Sequence, residues 1–151
     1  MCIVCYMKSK EKTADLQRER KAQSKPKKKS VQREGKLQES CVKWFYLMFD
    51  SERNWLFSIP NGGSRHKLEA FRLKREGVRA GVADLCLLKP NAEFHALFIE
   101  LKYKNTNNQS KAQIEFQKYC NDNGYCYKVV RTLDEFMLTI KKYFYGTSSD
   151  K

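Results

Sequence analysis

Long hydrophobic runs are missing from this sequence. Nowhere do about 18 apolar residues follow one another, which excludes a helix that spans a bilayer. The apolar opening Met1-Cys-Ile-Val-Cys-Tyr-Met7 is too short for the hydrophobic segment of a secretory signal, and no positive stretch precedes it. An intracellular protein with no membrane role is therefore expected, and its six cysteines are expected as thiols. Histidine is scarce, with two residues, and Cys2-x-x-Cys5 has only half of a zinc spacing, so a structural zinc site is not expected. Acidic residues are outnumbered: 17 Asp+Glu stand against 30 Lys+Arg, a net charge of +13. Such an excess calls for a polyanion partner, most often nucleic acid.

The charge is uneven. Residues 1–30 carry ten Lys/Arg and three acids, so a fifth of the chain holds more than half of the excess. This segment, with the block Lys25-Pro-Lys-Lys-Lys29, has almost no apolar residue between Lys8 and Ser30. Its composition predicts a solvated, disordered arm that adds phosphate contacts. The same block has the make-up of a nuclear address, so a nuclear location is not excluded. Hydrophobic residues are 41% of the 151, enough for one packed core. One domain is expected over 31–146, followed by a short disordered tail at 147–151.

Within that domain the apolar spacing of Leu37, Cys41, Trp44, Phe45 and Met48 predicts a helix over about 31–49. Trp55 to Ile59 reads as a strand that stops at Pro60-Asn-Gly-Gly63. Leu68 to Glu76 reads as a helix closed by Gly77. Val82 to Leu88 and Phe94 to Lys102 read as two strands of a hairpin. Ser110 to Asn123 reads as a helix with Ile114, Phe116, Gln117 and Cys120 inward, followed by a strand from Tyr125 to Val130. Thr132-Leu-Asp-Glu135 is a capping box that opens a last helix. The order suits an α/β domain with a central mixed sheet flanked by helices.

One short stretch carries chemistry. In Phe98-Ile-Glu-Leu-Lys102, strand alternation sends Glu100 and Lys102 to one face while Ile99 and Leu101 enter the core. Asp84 begins the preceding strand, where a hairpin would bring it near Glu100. Two carboxylates converging in a basic protein suit a hard cation such as Mg²⁺, which takes oxygen ligands and substrate phosphate. Such a cation polarises a phosphodiester and activates its water, and Lys102 would offset the charge that develops. Glu34, on the first helix, would add a third carboxylate. Gln113, opening the helix after Lys102, would hold the attacking water or a phosphate through its amide.

These residues carry a resemblance. Glu34-x-x-x-Gln38 with Val42-Lys-Trp44, Ile59-Pro-Asn-Gly-Gly63, Glu69-Ala-x-Arg72-Leu-Lys-x-Glu-Gly77, Gly81-Val-Ala-Asp84, Glu100-Leu-Lys102, Gln113 and Gly124-Tyr125 follow in order. Together they resemble the virus-type replication–repair nuclease (VRR-NUC) domain of the PD-(D/E)xK nuclease superfamily, over roughly residues 31–145. The resemblance implies a restriction-endonuclease-like core and Mg²⁺- or Mn²⁺-dependent hydrolysis of DNA phosphodiesters. It also implies branched substrates such as four-way junctions, a homodimer, and a phage or bacterial setting. By position it implies Asp84, Glu100 and Lys102 as the catalytic triad, with Glu34 and Gln113 in support. The sequence departs from the pattern at Ala83, where the family usually has proline. Proline there would fix the backbone rather than take part in the reaction.

Arg65, His66, Arg72, Lys74, Arg75 and Arg79 surround the glycine turn and the helix after it, and they form a candidate DNA-gripping face. A non-catalytic nucleic-acid-binding protein that uses this face is the competing expectation. Tyr125, Tyr127, Tyr143, Phe144 and Tyr145 are expected in the core or a dimer interface rather than stacked on bases.

Overall fold

A computed structural model describes residues 32–60, 67–103 and 108–146. The arm at 1–30, the C-terminal residues 147–151, Arg65 and His66 lie outside the described residues. Helix α1 covers residues 32–48, and a 3-10 helix, Asp50–Trp55, follows it. Next come β1 (Leu56–Ser58), α2 (Lys67–Arg75), β2 (Leu85–Leu87) and β3 (Leu97–Leu101). The chain then forms α3 (Lys111–Asp122), β4 (Cys126–Val130) and α4 (Leu133–Tyr145). The four strands make one sheet in chain order. β1–β2 and β2–β3 are antiparallel, while β3–β4 is parallel, so α3 serves as the crossover. This is the expected α/β architecture, a mixed sheet flanked by helices.

Strand alternation divides the core in two. One face of the sheet presents Leu56, Leu85, Leu87, Leu97, Ile99, Leu101, Cys126 and Val130. These pack with Cys41 and Phe45 of α1 and with Phe136, Ile140 and Tyr143 of α4. The other face carries a smaller cluster, in which Ala83, Tyr127 and Phe98 meet Cys120 and Phe116 of α3. Cys41, Cys86, Cys120 and Cys126 are buried free thiols that pack as small hydrophobic side chains. Burial pushes the Cys41 thiol up to about 12. Among the described residues no helix is long and apolar enough to cross a membrane.

Several elements differ from expectation. The 3-10 helix Asp50–Trp55 takes in the first residue of the predicted strand, which shortens it to Leu56–Ser58. The ladder of β2 is only Leu85–Leu87, shorter than the expected strand; just before it the Asp84 carbonyl accepts from Ile59 N at 2.8 Å. Met48, at the end of α1, is 59% exposed. Ile114 is 55% exposed, and Gln113, Gln117 and Cys120 take the inner side of α3. Thr132 caps α4 as predicted, accepting from Glu135 N at 3.1 Å. The reciprocal bond shifts by one residue: Glu135 accepts from Arg131 N.

Two glycines place the strands. Gly81 adopts φ +88°, and a Cβ there would meet the Ala112 backbone at 2.5 Å. The segment before Asp84 thus lies flat against the first turn of α3. Gly124 (φ +75°) ends α3, with Tyr125 N bonded back to Cys120 O at 2.9 Å.

Candidate active site

Register brings the two acids together. Leu85 faces Ile99 and Cys86 faces Phe98 in the β2–β3 ladder. One further step sets Asp84 across from Glu100, with both side chains on the α3 side of the sheet. Asp84 is half-buried, and its Oδ2 accepts from Leu101 N at 2.8 Å. That bond replaces a ladder bond with a side chain, and it holds the aspartate against the β3 backbone beside Glu100.

Glu100 is 1% exposed and is the buried charged side chain of the described core. A carboxylate so placed is costly unless its oxygens are bonded. Three side chains supply the bonds. Lys102, one residue past the end of β3, brings its Nζ to 2.9 Å from Oε1. Gln113 Nε2, from α3, donates to the same oxygen. Tyr127, from β4, donates its hydroxyl to Oε2 at 3.4 Å. Burial, and next the neighbouring Asp84, still push the Glu100 carboxyl up to about 7, against the opposing pull of Lys102 and Tyr127.

Gln113 has a second task. Ser110 caps α3, accepting from Gln113 N at 3.3 Å, and Gln113 Oε1 accepts from Ser110 N at 2.8 Å. An amide can do both, since its oxygen closes the capping box while its nitrogen faces Glu100. A glutamate at this position would close the box but repel Glu100.

The donor set is made of carboxylate oxygens, which fits a hard divalent cation and not zinc held by sulfur and nitrogen. Mg²⁺ needs only one or two carboxylates when water and phosphate complete its shell. Among the described residues no group of three or more His, Cys, Asp or Glu side chains is arranged to hold a metal ion. The described pair is Asp84 and Glu100; Glu34 is half-buried on α1. Of the predicted DNA-gripping residues, Arg72, Lys74, Arg75 and Arg79 are exposed, with Arg72 3.4 Å from Glu76.

The chain matches no protein-family model and no curated protein. Among solved structures, one described as "VRR_NUC domain protein" aligns with a TM-score of 0.64, over 74% of this chain and 87% of that chain, at 24% identity. The chain shares that fold. At such identity the likeness concerns the architecture alone, and the chemistry must be argued from side chains. Tyr127 is a member of the site that sequence reasoning left in the core. The signal for it was present but incomplete. A tyrosine in a buried strand needs a partner for its hydroxyl, yet the β3–β4 register that supplies Glu100 is not written in either segment.

Proposed function

We propose that the chain is a metal-dependent endonuclease that hydrolyses DNA phosphodiester bonds. The observation that carries this reading is the pairing of Asp84 with a buried, reluctantly ionised Glu100 that has Lys102 against it. Two neighbouring acids, one of them buried, are suited to a divalent cation. In this reading Asp84 and Glu100 hold Mg²⁺ or Mn²⁺, with Glu34 as an additional ligand. The bound cation supplies Lewis-acid polarisation of the phosphate and lowers the pKa of a water. Lys102 holds its ammonium where charge builds on the phosphate oxygens as water adds and the P–O3′ bond breaks. Gln113 keeps Glu100 in place. The products carry 5′-phosphates.

Arg65, His66, Arg72, Lys74, Arg75 and Arg79 grip the DNA backbone, and the basic segment 1–30 adds phosphate contacts to the nuclease domain at 31–146. The substrate is branched DNA such as a four-way junction, met inside the cell in replication, recombination or repair. A homodimer would cut two strands symmetrically. The shared VRR_NUC architecture supports the reaction class.

The test uses branched and linear DNA with Mg²⁺, Mn²⁺ or EDTA. Cleavage that depends on the metal and is abolished in Asp84→Asn, with DNA affinity kept, is the expected result. Tight binding without products in any metal would replace this reading with that of a non-catalytic DNA-binding protein.

A further inference from the structure

Tyr127 has no part in the reaction just described, and its environment does not explain why it is a tyrosine. Its ring is 4% exposed and meets Phe116 edge-on at 6.2 Å, in the small cluster with Ala83 and Cys120. A phenylalanine would fill that space as well. The hydroxyl adds a polar atom to an apolar layer, which costs stability unless it is bonded. It is bonded on both sides. Gln109 Nε2 donates to it at 3.5 Å, and the same amide donates to Gln117 Oε1 of α3 at 2.9 Å. Since the hydroxyl receives from Gln109, its own proton is directed at Glu100 Oε2, 3.4 Å away.

We infer that Tyr127 is a positioning residue for Glu100, aiming the carboxylate through a relay that runs from Gln117 and Gln109 to the phenol. The inference rests on the cation-binding role proposed for Glu100. Lys102 and Gln113 converge on Oε1 and leave the carboxylate free to swing about that oxygen. A donor on Oε2 from a different strand removes that freedom and fixes the plane of the group. The two phenol contacts are long, so their effect is to orient more than to stabilise. Burial raises the Tyr127 phenol far above its ordinary value, which keeps it a donor at any pH of interest. The relay also explains an oddity of α3. Its inner face bears Gln113 and Gln117 while Ile114 faces water. The two amides are turned inward because one serves Glu100 directly and the other anchors Gln109.

Tyr127→Phe in the full chain removes one oxygen and keeps the ring. The readout is Mn²⁺ binding to the DNA-free protein by titration calorimetry, beside the Mn²⁺ concentration that half-saturates cleavage. Loss of a partner to a ligating group commonly costs 10–100-fold in metal affinity. A roughly tenfold weakening is expected in both, with KM for DNA unchanged. A merely structural tyrosine would lower the melting temperature and leave both metal constants in place. Gln109→Leu cuts the relay one step back, outside the packed cluster, and should weaken Mn²⁺ binding in the same direction; it carries the test if Tyr127→Phe does not fold. Its effect should not add to that of Tyr127→Phe. Wild-type metal constants, within twofold, in the folded variants would overturn the inference while the nuclease reading stands. A wild-type protein that neither binds Mn²⁺ nor cuts DNA would overturn both.

Discussion

Glu100 should make the metal-free protein less stable as the solution turns neutral. Its carboxyl is raised from 4.5 to about 7 by burial and then by Asp84. Between these values the folded protein retains a proton that the unfolded chain has released. The favourable contribution of protonated Glu100 is therefore complete below about pH 4.5, and it is lost as pH rises through 7. A shift of this size corresponds to about 3 kcal/mol at 1.36 kcal/mol per unit. Glu100→Gln mimics the protonated form and removes the titration. The assay is urea unfolding of wild type and variant in EDTA, from pH 4 to pH 8. Titrating groups away from Glu100 affect both proteins alike, so the informative quantity is their difference. Wild type should lose about 3 kcal/mol relative to the variant across that range. Saturating Mg²⁺ should reverse the loss, since a ligand at 100 times its Kd adds about 2.7 kcal/mol to the state that binds it. A difference that stays flat from pH 4 to pH 8 would refute the argument, because it would mean that Glu100 ionises as easily inside the fold as outside it.

Gly81→Ala should destabilise the fold by about 2 kcal/mol or more. It combines a positive φ with a Cβ 2.5 Å from the Ala112 backbone, and a urea midpoint at the wild-type value would show that the segment adapts freely. Ser110→Ala should lower stability by about 1 kcal/mol through the missing cap and also reduce cleavage, because Gln113 is released at the same time; Ser110→Thr should restore both. Replacing Lys25, Lys27, Lys28 and Lys29 with alanine should flatten the salt dependence of DNA binding by about 0.9 log units for each phosphate no longer neutralised, read from affinities at several salt concentrations. An unchanged slope would remove the basic segment from the interface.

The sequence is most legible where the period is short and local. Alternation in Phe98 to Lys102 places Ile99 and Leu101 in the core and Glu100 with Lys102 on the opposite face, as the structure has them. The hairpin could be read from its two apolar runs, and with it the approach of Asp84 to Glu100. On α3 the apolar spacing places Phe116, Gln117 and Cys120 correctly but misleads at Ile114, which faces water. Beside Phe116 and Cys120, its inner side carries the amides Gln113 and Gln117, whose partners, Glu100 and Gln109, lie in other segments. Apolar spacing misleads again at Val82 to Asp84. Those residues are apolar enough for a strand, but Asp84 gives its carboxylate to Leu101 N and the ladder starts only at Leu85. Tyr127 was hidden for a related reason. Parallel pairing through a crossover helix has no turn to set its register, so nothing local announces that Tyr127 and Glu100 meet.

The dual employment of Gln113 ties helix nucleation to the buried Glu100. The bonds that start α3 are the same ones that hold an amide against Glu100. First turns are where helices fray, and local opening needs far less free energy than global unfolding. A brief loosening at Ser110 would therefore release the amide from Glu100 while the sheet remained intact, and in a nuclease of the kind proposed it would interrupt the reaction. Warming such a molecule would silence it some degrees before it melts.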